Sequence, residues 1–152
     1  MMFKVDYSKA TSLLPEGEYE VYISDARTAT TKGGTPYMSL EYTIRDDVEQ
    51  QHGGWRIHES FFKGRESGAY NIRRIQQLCK CAELPDGEEY PGEEELLSAL
   101  GGQSLRIVVG HRVSNYSGEN EAIVRFYKPS NAERPAIASL TPIDDDNEDL
   151  PF

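Results

Sequence analysis

The fold is decided by residues 70–84 (YNIRRIQQLCKCAEL). Apolar residues recur at every second position in the segments around this stretch, whereas within it they recur at every third or fourth position. An amphipathic helix is predicted, with these apolar positions on its buried side: Ile72, Ile75, Leu78, Cys79 and Ala82. This spacing places Cys79 in the core and Cys81 nearer the surface, and it puts Arg73 and Arg74 on the solvent side. After Pro85 and an acidic stretch, residues 93–100 (EEELLSAL) predict a shorter helix that ends at two glycines.

Apolar and polar residues alternate on both sides of these helices, as half-buried strands require. Three strands are predicted before the helices and two after them, at residues 18–27, 37–45, 55–62, 105–113 and 121–128. The small-residue stretch 28–35 (TATTKGGT) is predicted to be a loop. Trp55 is in phase with Ile57 and Phe61, which favours a core position for its ring.

Three strands, a helical insertion and two further strands follow the order of an OB-fold, a five-stranded Greek-key barrel. We therefore expect a mainly β body (β1-β2-β3-α-α-β4-β5) over residues 1–128, with another small mixed α and β fold as the alternative. Residues 129–152 lack sustained periodicity and are expected to form a disordered acidic tail.

Several classes of protein are excluded by what the sequence lacks. No apolar run approaches the ~20 residues of a membrane-spanning helix, and the start lacks the apolar stretch of a signal peptide, so a soluble cytoplasmic protein is expected. Two cysteines are too few for a disulfide framework or a cysteine zinc site. The histidines are scattered, and no nucleophile with a base or phosphate-binding glycine motif is recognisable. No enzyme activity, metal or cofactor is predicted.

The formal net charge of −10 is distributed unevenly. Residues 83–95 contain seven acidic residues and no Lys or Arg, and residues 129–152 contain six acidic residues and one Arg. The remaining body has 15 Lys and Arg against 13 Asp and Glu. Since local positive charge decides phosphate binding, the overall acidity does not exclude a nucleic-acid partner.

The last nine residues (DDDNEDLPF) combine clustered acids with an apolar tip. A solubilising tail would gain nothing from that tip, whereas a partner with an apolar pocket rimmed by Arg or Lys could bind the terminal ring and carboxylate. We expect the following residues to bind a partner protein: Asp144, Asp145, Asp146, Glu148, Asp149, Leu150, Pro151 and Phe152.

An acidic run that closes in Pro-Phe is similar to the C-terminus of bacterial and phage single-stranded DNA-binding proteins. The body resembles one phage family of such proteins, catalogued as DUF669, in FKVDYSKA, LPEGEYEVYI, KGGTPYMSLEYTIRDDV and YNIRRIQQLCKCAELPDGEE. The resemblance implies an OB-type fold, sequence-tolerant binding of single strands and a role in phage replication or recombination in the host cytoplasm. It also implies that residues 149–152 contact host or phage DNA-processing enzymes.

A protein that binds single strands needs aromatic faces for the bases and cations for the phosphates. In an OB-fold these lie on strands two and three and on the loops between strands one and two and between four and five. The candidate DNA contacts are Lys32, Tyr37, Arg45, Arg56, His58, Phe62, Lys63, Arg65, Arg112 and Tyr116.

Two other functions fit parts of the sequence. The first is an acidic adaptor or DNA mimic that binds replication or repair enzymes without binding DNA. The second is a metal-dependent nuclease that uses Glu41, Asp46 and Asp47. The expected partners are therefore single-stranded DNA and DNA-processing proteins, with self-association left open.

Overall fold

The computed structural model describes residues 2–5, 13–115 and 117–132. The elements are β1 (Gly17–Thr30), β2 (Pro36–Ile44), β3 (Arg56–Phe61), α1 (Ile72–Cys81), α2 (Glu93–Leu100), β4 (Ser104–Val113) and β5 (Asn120–Lys128). The prediction of a mainly β chain with two helices between its third and fourth strands is confirmed. Within the described ranges, no helix has the length and apolar character needed to cross a membrane.

The long strand β1 organises a five-stranded antiparallel sheet with the order β3-β2-β1-β4-β5. Its first part, from Gly17 to Tyr22, pairs with β4, and the part from Val21 to Thr30 pairs with β2. The register shifts at a bulge between Ile23 and Asp25. Because a bulge bends its strand and increases the local twist, β1 can lead the sheet from one partner to the other.

The turn between β1 and β2 is shorter than the sequence predicts. Thr28, Ala29 and Thr30 belong to β1, where Thr28 pairs with Met38. Only residues 31–35 form the turn, which is closed by a 2.9 Å hydrogen bond from the Gly34 amide to the Thr31 carbonyl. Small residues suggested a loop here, but pairing with β2 keeps them extended.

The core lies between the inner face of the sheet and the two helices. The strands contribute alternate residues, as predicted, and the most deeply buried of these are Val21, Ile23, Leu40, Tyr42, Ile44, Leu105 and Ile107. The helices add Ile75, Leu78, Leu97 and Leu100. One continuous apolar cluster therefore joins sheet and helices.

The buried stripe of α1 differs from the predicted one. Ile72 is 58% exposed, Cys79 is half-buried and Cys81 is buried, so the expectation for the two cysteines was wrong. The contact stripe runs through Ile75, Leu78 and Cys81 at intervals of three, because the last turn of the helix packs on the core. Burial raises the pKa of both thiols, which suppresses their reactive thiolate forms at neutral pH.

Glu59 on β3 joins strands that are far apart in the sheet order. One of its carboxylate oxygens accepts hydrogen bonds from the hydroxyls of Tyr42 on β2, at 2.8 Å, and Tyr127 on β5, at 2.6 Å. Burial, followed by the nearby Glu59 carboxylate, raises the pKa of both tyrosines. Since β3 and β5 are the two outer strands, the sheet curls until its edges approach each other.

Arg74 completes this cluster from α1. Its Nε donates to the second oxygen of Glu59 at 2.9 Å, and its two terminal nitrogens donate to the carbonyls of Val124 and Arg125 on β5. The guanidinium also lies 4.8 Å from the centre of the Tyr127 ring. The expectation that Arg74 coats the solvent face is therefore wrong, because Glu59 and the β5 carbonyls draw it inward.

A second ionic cluster holds the chain that follows β5. Glu20 is buried, and its carboxylate accepts hydrogen bonds from Arg106 at 2.9 Å, Ser130 at 2.6 Å and the Asn131 amide at 3.0 Å. The last described residues are thus bound against β1 and β4, beyond the predicted end of the body at residue 128.

Candidate nucleic-acid interface

Side chains of β2 and β3 that do not enter the core form one outward-facing surface. Cross-strand pairing places Ser39 opposite Ser60, Glu41 opposite His58, and Thr43 opposite Arg56. We call this surface, together with Tyr37 and Phe62 at its end, the β2–β3 outer face. It exists because the intervening residues of both strands point into the core.

An aromatic pair lies at one end of the β2–β3 outer face. The rings of Tyr37 and Phe62 stack with their centroids 4.7 Å apart and their planes at 28°. Phe62 is 53% exposed, although it makes this contact. The pair is therefore held in place by its own packing while one ring stays open to a planar ligand.

Arg56 and His58 lie on the same face, on the part of β3 away from the aromatic pair. The side chains of Arg56 and His58 are 67% and 66% exposed. Both approach the Glu41 carboxylate, with His58 Nε2 at 3.2 Å and Arg56 Nε at 4.0 Å. Glu41 is itself held by a 2.9 Å hydrogen bond from the Ser24 hydroxyl. A phosphate that binds here has to compete with this carboxylate.

Three more of the predicted cations belong to loops at the aromatic end of the face. Lys32 is exposed in the turn between β1 and β2 that leads into Tyr37. Lys63 follows Phe62, with its Nζ 5.5 Å from the Tyr70 ring centroid and 4.0 Å from Glu93. Arg65 is exposed in the next turn. Positive charge thus accompanies the Tyr37 and Phe62 rings on both strands.

Arg45 does not belong to this face. Its side chain is 2% exposed, and two of its nitrogens donate to the two oxygens of Asp47, each at 2.9 Å. These hydrogen bonds hold the pKa of Asp47 below its usual range. Because β2 ends at Ile44, Arg45 leaves the alternation of the strand and turns inward, so we remove it from the candidate interface.

One further predicted contact lies on another part of the sheet. Arg112 is on the outer side of β4 and pairs at 3.0 Å with Glu121 of β5, away from β2 and β3. Tyr116 and residues 144–152 lie outside the described residues. The interface therefore retains Lys32, Tyr37, Arg56, His58, Phe62, Lys63 and Arg65.

Two residues near this face were not among the predicted contacts. Arg27 on β1 lies beside Ser39, and its side chain is 72% exposed, with an ion pair to Asp25 at 3.2 Å. Trp55 was expected in the core but is 38% exposed, with its ring 4.7 Å from that of His52. Trp55 shares the phase of the core residues but precedes the start of β3, so its ring lies at the edge of the sheet. Alternation along β1 would place Arg27 on the core face with Val21 and Ile23, but the bulge after Ile23 reverses the phase. No signal in the sequence located Trp55.

The acidic residues proposed for a nuclease do not form a common site. Both oxygens of Asp47 are held by Arg45, whereas Glu41 faces His58 on the outer face. Across residues 2–5, 13–115 and 117–132, no three His, Cys, Asp or Glu side chains come together in a way that could hold a metal ion.

Comparison with protein families identifies the family of this chain. No curated protein matches this chain. A family model described as a protein of unknown function, DUF669, matches residues 3–136, which include all seven elements from β1 to β5 described above. The chain therefore belongs to the DUF669 family.

Proposed function

We propose that this protein binds single-stranded DNA, without strong sequence preference, on the β2–β3 outer face. The observation that carries the proposal is the exposed stack of Tyr37 and Phe62 with cations on both sides. Every base has a planar face, so one aromatic platform accepts all four bases, and each stacked base contributes ~1–3 kcal/mol. In a duplex these faces are hidden between neighbouring base pairs.

We also propose that the body is an OB-type barrel. The support is that β1 pairs with both β2 and β4, that the helices lie between β3 and β4, and that Glu59 links β3 to β5. Strands two and three and the loop between strands one and two are the usual binding elements of that fold. The aromatic pair and Lys32 lie on those elements.

The charge distribution agrees with a phosphate ligand on this face. Acids are concentrated in residues 83–95, which belong to the helical side of the molecule, and in residues 129–152. We propose that residues 144–152 recruit DNA-processing proteins, as the resemblance to phage single-stranded DNA-binding proteins implies, and that the protein acts in phage replication or recombination.

An acidic adaptor is the second candidate function, and the seven acids of residues 83–95 are the observation that favours it. It gives no role to the exposed aromatic pair. A nuclease is disfavoured, because Arg45 already neutralises Asp47 and Glu41 lies on another surface.

The test is a fluorescence-anisotropy titration of labelled oligo-dT and of a matched duplex. We expect a salt-sensitive preference for the single strand, and we expect Phe62→Ala to weaken that binding roughly 5- to 150-fold, the equivalent of one lost stacking contact. Val113→Ala is the control, since Val113 is 61% exposed on β4, which pairs with neither β2 nor β3. Equal loss in both variants, or equal affinity for the duplex, would contradict the proposed surface. No binding by the folded protein would favour the adaptor.

A further inference from the structure

A groove of about 1010 Å³ lies on the helical side of the molecule, lined by α1, the start of α2 and the segment that joins them. Its apolar lining includes Tyr70, Ile72, Leu84 and Tyr90. Ile72 is 58% exposed although it begins a helix that otherwise packs on the core. Exposed apolar surface gathered in a groove is typical of a site that binds another apolar segment.

The charge around the groove restricts what can occupy it. The lining contains three acids, Asp86, Glu88 and Glu93, and two lysines, Lys63 and Lys80, of which Lys63 lies 4.0 Å from Glu93. Lys63 follows Phe62, so the groove adjoins the β2–β3 outer face there. Residues 83–95, which form part of the wall of the groove, carry seven acids without any Lys or Arg. This acidic wall repels phosphates and favours an occupant that is apolar and positively charged.

The chain itself contains a segment of that kind. Residues 2–5 (MFKV), which we call the arm, expose their apolar side chains almost completely: Met2 by 92%, Phe3 by 85% and Val5 by 81%. Lys4 lies between the latter two. Two neighbouring exposed apolar side chains around a lysine match the apolar lining and acidic rim of the groove.

We propose that the groove binds the arm of a second copy of this chain. The start of the body lies far along the sheet from the groove: Leu14 contacts His111 on β4 at 2.7 Å, whereas Met38, at the groove, pairs with Thr28 near the end of β1. The path along β1 from Gly17 to Thr28 has eleven residue steps, about 36 Å along a strand that bends at its bulge. The nine steps from Val5 to Leu14 reach at most ~32 Å. The apolar side chains of the arm are exposed, so they do not fill the groove of their own chain.

In such a contact an arm on one copy meets a groove on another. Reciprocal exchange of two arms closes a symmetric dimer, whereas one-way contacts arrange copies in rows or rings. This inference goes beyond the proposed DNA binding and does not depend on it.

The experiment is sedimentation velocity of the full chain across a wide concentration range. We expect the average mass of the wild type to rise above 17.1 kDa with concentration. Phe3→Ser, which removes the arm's ring, and Ile72→Asp, which places a charge in the groove, should each abolish that rise. Both positions are exposed, so folding should be unaffected, and circular dichroism checks this. Phe126→Ser, which alters an exposed side chain outside the arm and the groove lining, should associate like the wild type.

Two further samples distinguish this contact from any other self-association. An equimolar mixture of Phe3→Ser and Ile72→Asp should recover a species of twice the mass, because one protein keeps the groove and the other keeps the arm. Lys4→Glu should weaken association, and adding Glu88→Lys to it should restore at least part of the loss. A wild type that stays monomeric, or a mixture that does not recover association, would overturn the proposal.

Discussion

The Glu59 cluster allows a quantitative prediction about stability. Glu59→Gln keeps the size of the side chain but replaces its carboxylate with a neutral amide. That carboxylate accepts hydrogen bonds from Tyr42, Tyr127 and Arg74. Breaking a buried ion pair typically costs about 3–5 kcal/mol, because it leaves the partner's charge unpaired. The Arg74 side chain is 29% exposed, so water recovers part of that cost, and the remaining amide oxygen still accepts one bond. We therefore expect a loss of about 2–3 kcal/mol in the free energy of unfolding.

Urea unfolding followed by circular dichroism measures this loss, and a thermal melt should show a midpoint lower by about 8–12 °C for a body of this size. Glu121→Gln is the control, because its ion pair with Arg112 joins side chains that are 42% and 64% exposed. Such a surface pair contributes at most ~1 kcal/mol.

A loss for Glu59→Gln no larger than that for Glu121→Gln would refute the reasoning. A double-mutant cycle with Arg74→Met gives an independent check, since residues in one hydrogen-bonded cluster should show a coupling energy of about 1 kcal/mol or more. Additive effects of the two substitutions would mean that the cluster does not act as a unit.

Three further predictions concern affinity and pH. Glu41→Gln should tighten oligo-dT binding about 2- to 5-fold in low-salt anisotropy, since a unit charge near a phosphate costs ~1 kcal/mol in water; unchanged or weaker binding would count against a phosphate beside Arg56. The raised pKa values of Tyr42 and Tyr127 mean that their contribution to stability is complete below pH ~10. Above that pH only the unfolded chain releases these protons, so the free energy of unfolding in urea should fall, and a flat profile up to pH ~11 would contradict their burial. Deleting residues 144–152 should tighten oligo-dT binding at low salt and have little effect at high salt, because the acidic segment and DNA compete for one face; equal affinities at low salt would exclude that competition.

Most of the architecture could be predicted from the sequence, because strand and helix periods are local signals. The five strands and both helices lie close to their predicted positions, and the outward phase of Arg56, His58 and Phe62 followed from alternation along β3. Two of the errors occur where a strand ends. Trp55 and Arg45 sit just beyond strand ends, where alternation no longer determines which way a side chain points.

The clusters that stabilise the fold could not be predicted in this way. Glu59 and Tyr127 are 68 residues apart, and Ser130 reaches Glu20 across 110 residues. Glu20 has the phase of an exposed carboxylate in an alternating strand. Glu59 lies in phase with the core residues Ile57 and Phe61, but this phase does not identify its partners. Their partners become apparent only when the sheet has curled and the outer strands meet.

The curled sheet affects how readily the protein aggregates when a substitution removes the side chains that hold its edges together. An open five-stranded sheet would present two free strand edges, and such edges are templates on which other chains can add strands and aggregate. Here Arg74 occupies two carbonyls of β5, and Tyr127 ties that strand to β3. The same few side chains therefore protect the protein from strand-to-strand aggregation. A variant that loses them is expected to precipitate in a concentration-dependent way, even at temperatures where most of its core is still folded.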